Sequence, residues 1–357
     1  MKKEILCGDV KIGGGNPVSI QSMTNTPTAD VKSTISQIGR LTEAGCQIVR
    51  LAVPDMAAAR ALAEIKEKSR IPLVADIHFD YRLAVESIKS GVDKIRINPG
   101  NIGSEEGVRQ IVALAKDRNI PIRVGVNSGS LEKDILTKYG KVTAEGLAES
   151  ALRNVEILER MNFEDIVISL KSSDVKMNYD AYKIVHEKSS YPLHIGVTEA
   201  GTPSRGKVRS AAGIGALLLE GIGDTVRVSL TADPVEEVYF AKEILTATGL
   251  RRESIEIVSC PTCGRTEVDL ERIAETIEKR IGQLEAKGIK GLKIAVMGCA
   301  VNGPGEAREA DIGVACGKGK GLIFSKGEII KTVKEKNIAD EIIKMAEEYE
   351  DNTGRRN

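Results

Sequence analysis

Residues 94–127 read KIRINPGNIGSEEGVRQIVALAKDRNIPIRVGVN, in which two short β-branched runs flank a stretch of helical length. The same alternation recurs through the first 250 residues or so. Alternation of strand and helix at this spacing predicts parallel strands joined by crossover helices. The strand-like runs are PVSIQSM from Pro17, QIVRLAV from Gln47, PLVADIH from Pro72, KIRINPG from Lys94, IPIRVGVN from Ile120, DIVISLK from Asp165, PLHIGVT from Pro192 and TVRVSLT from Thr225.

Eight such units predict a (β/α)8 TIM barrel. The main alternative is a doubly wound open sheet, which usually has about six strands and a Gly-rich phosphate turn after the first strand; that turn is missing here. The segment before Pro17, with its three glycines at 13–15, is typical of a hairpin that closes the bottom of a barrel. The longer gap after the fifth strand predicts an extra loop or helix around residues 133–143.

Composition limits the kinds of partner that the chain can have. The 357 residues contain 51 Lys+Arg and 51 Asp+Glu, so the net charge is zero, and aromatic residues make up only 3%. Neither feature suits a nucleic-acid binder, which needs a basic surface and stacking platforms. No apolar run is long enough to span a bilayer, and the start lacks a signal-peptide pattern, so we expect a cytoplasmic protein without a membrane partner. In that compartment the six cysteines are expected to be metal ligands, reactive thiols or core residues rather than disulfides.

Polar residues recur on one face of the predicted strands, because side chains in a strand alternate with a period of two. The intervening residues are mostly Ile, Val and Leu, which suit the face that helices cover. The polar face is therefore predicted to be the lumen, near the C-terminal strand ends where barrel active sites form. Its members are Arg50, Asp76, His78, Arg96, Asn98, Arg123, Asn127, Ser169, Lys171, Arg227 and Ser229.

Five of these residues are cations, namely Arg50, Arg96, Arg123, Lys171 and Arg227. Burying several cations together is costly unless negative charge compensates them. Asp76, Glu199 and Asp233 are too few nearby acids for that purpose, whereas a bound diphosphate would match the guanidinium forks. The alternative is that each arginine pairs with a carboxylate and only stabilises the barrel.

The loop TEAGTPSRGK after the seventh strand is predicted to place Glu199 at the barrel mouth, where it is a candidate proton donor. His78 shares a strand face with Asp76, which makes it a candidate site residue, whereas His194 is interpreted as a core histidine.

The pattern changes after Leu250, where residues 251–357 are predicted to form a second, α+β domain behind a barrel of residues 1–250. A strand IEIVSC ends in Cys260-Pro-Thr-Cys263, and an amphipathic helix follows over about 269–287. The strand GLKIAVMG then leads to Cys299, and two further strands, DIGVACG and GLIFSKG, precede a helix from about Ile338.

Three thiols with this arrangement indicate a metal or redox centre. Zinc normally requires a second Cys-x-x-Cys or a histidine, and no histidine lies in this domain; a thioredoxin-like pair would not need Cys299. An iron–sulfur centre is therefore favoured, with zinc and thiol redox chemistry left as alternatives. Cys316 is a possible fourth ligand within an apolar strand, whereas Cys7 and Cys46 are interpreted as structural.

The motifs IQSMTNT, VADIHF, RINPGN, GVTEAG, SCPTCGR and VMGCAVNGPGEAREADIGVA occur in this order over nearly the whole chain. Together they resemble the 4-hydroxy-3-methylbut-2-en-1-yl diphosphate synthase family of the non-mevalonate isoprenoid pathway, in its compact bacterial two-domain form. The resemblance implies a barrel followed by a module similar to those of sulfite and nitrite reductases.

The resemblance also implies an activity, the reductive ring opening and dehydration of 2-C-methyl-D-erythritol 2,4-cyclodiphosphate with two electrons from ferredoxin or flavodoxin. It implies a [4Fe–4S] cluster held by Cys260, Cys263, Cys299 and Glu306, an acid at Glu199, and phosphate-binding residues that include Arg96, Arg123, Arg227 and Ser229. It further implies a head-to-tail homodimer, which nothing else in the sequence indicates.

Two other classes of function stay open at this point. One is a zinc-stabilised barrel lyase that acts on a phosphorylated sugar. The other is a non-enzymatic electron carrier or cluster scaffold, which would have no use for a cationic pocket.

Overall fold

The computed structural model of the chain describes residues 2–251, 254–299, 305 and 309–349. Its internal contacts divide the chain into two compact units with the boundary after Leu250. Each unit has its own sheet and its own hydrophobic core.

The first unit is a (β/α)8 barrel, as predicted. Its strands are β3 (Ser19–Met23), β4 (Ile48–Ala52), β5 (Leu73–Asp76), β6 (Lys94–Ile97), β7 (Ile122–Asn127), β8 (Ile166–Lys171), β9 (His194–Ile195) and β10 (Thr225–Val226). Neighbouring strands pair in parallel in the order β8-β7-β6-β5-β4-β3-β10-β9. A parallel bridge between Ile168 and Leu193 joins β8 to β9 and closes the ring, which excludes the open-sheet alternative.

Helices cover the outside of the barrel because each strand presents Ile, Val and Leu on its outer face. In β7, for example, Ile122, Val124 and Val126 join the main hydrophobic core, whereas the residues between them face the lumen. The helices are α1 (Val31–Glu43), α2 (Met56–Lys68), α3 (Tyr81–Lys89), α4 (Glu105–Arg118), α5 (Lys133–Tyr139), α6 (Ala144–Glu159), α7 (Val175–Lys188), α8 (Pro203–Leu219) and α9 (Pro234–Ala247). The short helix α5 lies where the long gap after the fifth strand predicted an extra element.

Most of these helices begin at a residue that caps them. A side-chain oxygen accepts a hydrogen bond from a backbone N–H of the first turn, which satisfies a group that the helix itself leaves unpaired. The capping residues are Asp30, Asp55, Asp80, Ser104, Thr143, Asp174 and Asp233. Except for Thr143, which follows α5, each cap ends a loop that follows a barrel strand, so these caps fix where the loops stop.

An antiparallel hairpin of β1 (Glu4–Cys7) and β2 (Val10–Gly13) precedes the barrel. Its Cys7 and Ile12 are fully buried and form a small apolar cluster with Ile48 and Val74. These two partners lie near the N-terminal ends of β4 and β5, so the hairpin covers the bottom of the barrel as predicted.

The second unit contains a five-stranded sheet in which the strands pair in chain order. The first two pairs are parallel and the last two are antiparallel. Its elements are β11 (Glu256–Ser259), α10 (Leu270–Ala286), β12 (Lys293–Met297), β13 (Ile312–Gly317), β14 (Lys320–Ser325), β15 (Glu328–Lys334) and α11 (Ile338–Glu347). Both helices share one apolar cluster with β12 and β13, and a smaller cluster lies on the opposite face of the sheet.

Strand β15 was not predicted from the sequence. It follows β14 through a turn at Lys326 and Gly327, both of which have positive φ. Because β15 lies at the edge of the sheet, no residue in it is fully buried, and Ile329 and Ile330 are both exposed. A strand with one buried face shows alternating apolar and polar residues, and the sequence EIIKTVK lacks that regular alternation.

No helix in the described ranges is long and apolar enough to cross a membrane.

The hairpin offers a direct test of how much its apolar contacts stabilise the barrel. We expect Ile12→Ala to lower the free energy of unfolding by about 2–5 kcal/mol, because the side chain is fully buried and its loss leaves a cavity. Leu6→Ala is the matched control: Leu6 lies in the same hairpin but is 53% exposed, so we expect a change within about 0.5 kcal/mol. Urea unfolding of the two variants measures both values, and equal losses would contradict a hairpin that closes the core.

Candidate active site

The upper lumen of the barrel contains a cavity of about 180 Å³ that is lined almost entirely by polar side chains. All five predicted cations contribute to it, and they come from β4, β6, β7, β8 and the segment after β10. We call it the inner cavity; its lining residues are Arg50, Asp76, His78, Arg96, Arg123, Asn127, Ser169, Lys171, Thr198 and Arg227.

A second cavity of about 220 Å³ adjoins the first and is lined by the loops at the C-terminal strand ends. We call it the outer cavity; it is lined by Ile77, His78, Phe79, Arg96, Asn98, Asn101, Gly125, Asn127, Ser128, Gly129, Thr198 and Glu199. The two cavities share His78, Arg96, Asn127 and Thr198. The predicted residues Asn98 and Glu199 therefore lie toward the mouth, above the cations, and Ser229 lies half-buried two residues beyond Arg227.

Asp76 lies among three of the polar lumen residues. Its Oδ1 is 3.1 Å from Arg96 Nη1 and 3.7 Å from His78 Nε2, and its Oδ2 is 3.6 Å from Arg50 Nε. Burial alone would raise the pKa of this carboxyl, but Arg50, the His78 hydrogen bond and Arg96 hold the pKa well below its usual range. Asp76 is therefore ionised and offsets part of the positive charge.

Arg96 has the most polar contacts of the five cations in the described part of the chain. Its Nη1 lies 2.8 Å from His78 Nε2, and its Nη2 donates to the backbone oxygen of Gly125 at 3.1 Å. The strand register places Arg96 opposite Asp76 on one side and opposite Arg123 on the other. These three residues therefore lie at one level of the lumen.

A second buried carboxylate, Glu237 on α9, was not predicted. Its side chain is 5% exposed, and its Oε2 lies 3.6 Å from Arg227 Nη2 and accepts a hydrogen bond from Ser22 Oγ at 3.3 Å. The sequence PVEEVYF places Glu237 in the first turn of a helix, where an acidic residue is ordinary. The sequence contains no separate signal that the Glu237 side chain turns toward the barrel strands, where it contacts Ser22 and Arg227.

Asp233, expected among the acids near the cations, is not one of them. Its side chain caps α9 by accepting from Val235 N at 3.0 Å, and it pairs with Arg40 in a half-exposed position. The capping role explains its place in the sequence TADPVEE, because aspartate is a preferred residue at a helix start.

Positive charge remains in excess around the inner cavity. Two buried carboxylates lie beside the five cations in the described ranges: Asp76 pairs with Arg50 and Arg96, and Glu237 pairs with Arg227. The net excess is three positive charges, and Arg123 and Lys171 pair with no carboxylate in these ranges. Arg123 is 1% exposed, and its Nε and Nη1 have no hydrogen-bond partner in the part of the chain that is described. Uncompensated burial of this kind is costly, and a bound polyanion would offset it.

Burial, together with mutual repulsion, lowers the pKa values of Arg50, Arg123 and Lys171. Burial is the largest cause for Arg123 and Lys171, whose pKa values are held well below their usual range, with Arg50 and Arg227 adding repulsion. Burial, partly opposed by Asp76, lowers the pKa of Arg50 to about 10. An anion in the inner cavity would reverse these shifts, because negative charge favours the protonated form of each group.

His194 is buried as predicted, but it lies on the lumen side of β9 rather than in the helix-facing core. Its Nε2 is 3.4 Å from Lys171 Nζ. Burial, and then the charges of Arg123 and Lys171, hold the pKa of His194 well below its usual value, so the imidazole is neutral. Lys94, two residues before Arg96 on the same strand face, is also fully buried.

Two residues at the mouth have strained backbones. Glu199 has φ of 51° and Phe79 has φ of 65°, and both line the outer cavity. Left-handed backbone conformations are uncommon for residues other than glycine, and they concentrate at functional sites. Phe79 is also 75% exposed, whereas large aromatic residues are usually buried.

The cysteines of the second unit lie at the ends of neighbouring strands. Cys260 follows β11 and Cys299 follows β12, and these strands are parallel with Ser259 opposite Val296. The backbone N–H of Gly298 donates to Cys260 Sγ at 3.1 Å. Sulfur atoms that accept backbone N–H groups are typical of iron–sulfur ligands.

Cys263 is exposed, and its backbone N–H donates to Thr266 Oγ1 at 3.1 Å. The predicted fourth ligand, Glu306, lies outside the described residues. Within the described ranges no group of three or more His, Cys, Asp and Glu side chains is already arranged around one metal position.

The other cysteines have the surroundings of core residues. Cys316 is fully buried in β13, and burial raises its pKa to about 12, which disfavours the thiolate that a metal needs. Cys46 is similar, with a pKa raised to about 12 by burial, and Cys7 belongs to the hairpin cluster.

The first unit thus belongs to the class of (β/α)8 barrels with a cationic, polar lumen. Among solved structures, it is similar to a Yersinia pestis DHPS and to the 7,8-dihydropteroate synthase of Vibrio fischeri. Each likeness has a TM-score of 0.50 at 11% identity and covers 69% of this chain and 98% of the other. At that identity the likeness shows the fold alone.

Sequence families identify the chain further. The family described as GcpE TIM-barrel domain matches residues 2–242, and the GcpE protein C-terminal domain matches residues 256–348. A relative from Clostridium perfringens is 61% identical over 97% of this chain and 98% of its own length, and one from Clostridium acetobutylicum is 60% identical over 96% and 97%. Both are named 4-hydroxy-3-methylbut-2-en-1-yl diphosphate synthase (flavodoxin). The chain belongs to the GcpE family, which confirms the resemblance drawn from the motifs.

The neutral His194 makes the stability of the barrel depend on pH. In the unfolded chain a histidine gains a proton below about pH 6.5, whereas buried His194 stays neutral, so falling pH favours unfolding. We expect the free energy of unfolding to fall by up to about 1.4 kcal/mol per pH unit below pH 6.5 on account of this residue.

We expect His194→Gln to remove that share of the slope in urea unfolding between pH 7.5 and 5.5. His186→Gln is the control, because His186 is only partly buried and its pKa is lowered less. An unchanged slope in the His194 variant would show that the lumen does not hold this imidazole neutral.

Proposed function

We propose that this chain catalyses the reductive ring opening and dehydration of 2-C-methyl-D-erythritol 2,4-cyclodiphosphate to 4-hydroxy-3-methylbut-2-en-1-yl diphosphate. The observation that carries the proposal is the convergence of four buried cations and the partly buried Arg227 on one lumen cavity that contains a single carboxylate, Asp76. The names of relatives at about 60% identity carry the same product, 4-hydroxy-3-methylbut-2-en-1-yl diphosphate.

In this proposal the inner cavity binds the cyclic diphosphate. Arg50, Arg96, Arg123, Lys171 and Arg227 would neutralise the phosphate oxygens, since guanidinium groups match phosphates in bidentate geometry. Asn127, which lines both cavities, would donate to the remaining oxygens together with His78 and Asn98. Ser229, which is half-buried two residues beyond Arg227, would be a further donor. Asp76 would hold Arg50 and Arg96 in place rather than meet the substrate directly.

The same cations would assist the bond cleavage. When the ring C–O bond breaks, negative charge grows on a phosphate oxygen, and preorganised cations stabilise that charge more in the transition state than in the ground state. Glu199 lies at the mouth, above the cations, where the carbon skeleton of a bound diphosphate would extend. It would deliver the proton with which the substrate hydroxyl leaves as water.

Cys260, Cys263, Cys299 and Glu306 would hold a [4Fe–4S] cluster in the second unit. When bound, such a cluster supplies two electrons one at a time. Two observations support these ligands. The backbone N–H of Gly298 donates to Cys260 Sγ, and the paired strands β11 and β12 end side by side just before Cys260 and Cys299. Residues 1–250 would then act as the substrate-binding domain and residues 251–357 as the cluster domain.

The electron donor in this proposal is a flavodoxin, because the relatives' names carry that word. Ferredoxin remains the alternative donor within the same reaction. A cytoplasmic location fits a protein whose cysteines must stay reduced. We also propose a head-to-tail homodimer, in which the cluster domain of one chain serves the barrel of the other.

Anaerobic purification followed by iron, sulfide and zinc analysis tests the cluster. We expect about four irons and four sulfides per chain and turnover of the cyclodiphosphate with reduced flavodoxin. A colourless zinc protein would support a barrel lyase instead. A cluster protein that neither binds nor converts the cyclodiphosphate would be an electron carrier, and either result would overturn the proposal.

Glu199→Gln tests the proton donor. The amide keeps the size of the side chain but cannot supply a proton, so we expect kcat to fall by about 10²–10⁴ with unchanged iron content and absorption spectrum. Glu105→Gln is the control, because Glu105 is an exposed residue of α4, outside both cavities. Full activity in the Glu199 variant would remove this residue from the mechanism.

Mixed subunits test the head-to-tail dimer. A Glu199→Gln chain lacks the proton donor, and a Cys263→Ser chain lacks a cluster ligand, so each homodimer should be inactive. If sites are shared between chains, random mixing restores one of two sites in half of the dimers, or about a quarter of wild-type activity. Mixtures as inactive as the separate variants would exclude the shared site.

A further inference from the structure

We infer that Gly125, in the middle of β7, is a positioning residue of the inner cavity. The lack of a side chain at this lumen position leaves the space in which the Arg96 guanidinium lies. The inference rests on the proposed anion-binding role of the lumen, but not on the identity of the anion or on the redox reaction.

The backbone conformation does not require glycine at this position. Gly125 pairs with Ser169 within a regular parallel ladder, and its φ lies outside the left-handed region. Glycine weakens the interior of a strand, because it packs nothing and loses much conformational freedom on folding. A glycine at the centre of a buried strand therefore indicates the close approach of another group.

The group that approaches is Arg96. A Cβ atom added to Gly125 would lie 2.1 Å from Arg96 Nε and 2.9 Å from both Arg96 Cζ and Nη2. These separations are too short for non-bonded atoms, so the guanidinium and a side chain at position 125 cannot occupy their present places together.

The location of Arg96 gives this space its importance. Its Nη2 donates to the Gly125 carbonyl at 3.1 Å, while Nη1 contacts Asp76 and His78 at 3.1 and 2.8 Å. Arg96 also lines both the inner and the outer cavity. A methyl group at position 125 would move the guanidinium off β7 and either into the cavity of about 180 Å³ or away from Asp76.

Either displacement would weaken anion binding. A guanidinium pushed into the inner cavity would occupy volume that the anion needs. One pulled away would leave Asp76 without its Arg96 contact, so that less positive charge would offset this carboxylate beside the anion. Yet the barrel itself should tolerate the methyl group, because the crowded atoms are the end of a flexible side chain and not backbone.

Gly196 shows the opposite case on the same lumen. A Cβ atom there would lie 2.5 Å from the backbone oxygen of Arg227, as well as 3.2 Å from Lys171 Nζ. Substitution of Gly196 would therefore strain the β9–β10 pair, and loss of binding could not be assigned to one cation. At Gly125 an added methyl group crowds only the Arg96 side chain, so its effect on this cation can be measured apart from an effect on the fold.

The test measures the Kd of inorganic diphosphate for the full-length chain by titration calorimetry, together with the thermal midpoint. We expect Gly125→Ala to raise the Kd by about tenfold or more, as the loss of a charge-assisted contact does, with the thermal midpoint within about 3 °C of the wild type. Gly39→Ala is the matched control: Gly39 lies on α1 with no atom within 4 Å of an added Cβ, so its Kd should not change.

A double-substitution cycle separates positioning from any general effect of the methyl group. Arg96→Ala removes the guanidinium, so adding Gly125→Ala to it should change the Kd by less than about twofold. Additive losses in the double variant, a wild-type Kd for Gly125→Ala alone, or no diphosphate binding by the unsubstituted chain would each overturn the inference.

The outcome is independent of the proposed reaction. A non-additive cycle together with an absence of cyclodiphosphate turnover would support the role of Gly125 and reject the synthase activity. Turnover combined with an additive cycle would do the reverse.

Discussion

Mutual repulsion among cations buried in a barrel lumen is the constraint on which the rest of this structure depends. The inner cavity gathers four arginines and a lysine around one carboxylate, Asp76, with Glu237 as a second carboxylate next to Arg227. Such an arrangement costs folding free energy, which the large apolar layer between strands and helices must offset. The cost is lowered when an anion binds, so part of the free energy stored by folding becomes binding free energy for the ligand.

Side chains alternate between the two faces of a strand, and this alternation allows one sequence to form both an apolar core and a polar lumen. Each barrel strand gives alternate residues to the helix-covered core and to the lumen, and a shift of one residue would exchange the two sets. A cation would then enter the apolar layer without a partner, at a cost of several kcal/mol. The polar lumen therefore fixes the strand register as strictly as the core does.

The same pattern explains which features could be predicted from the sequence. Arg96 and Arg123 were identifiable because polar residues on otherwise apolar strands mark the lumen, and the eight units marked the barrel. Glu237 could not be identified, since it reaches the strand layer from a helix whose first turn ordinarily contains acids. Gly125 was equally hidden, because its role depends on the side chain of a neighbouring strand. Strand β15 has no buried face, so its sequence lacks the apolar pattern from which strands are predicted.

The cysteines show how position, rather than residue type, separates structural from reactive groups. Cys316 lies inside a strand, where burial raises its pKa to about 12 and keeps it a thiol. Cys260 lies just past a strand end, and its Sγ accepts a hydrogen bond from the backbone N–H of Gly298. Strand ends supply such N–H groups because the sheet no longer pairs them. The barrel uses its own strand ends in a related way, since the residues of the outer cavity follow the strands as well. In both units the regular sheet supplies rigidity, and the segments that follow the strands place further polar or sulfur groups at its ends.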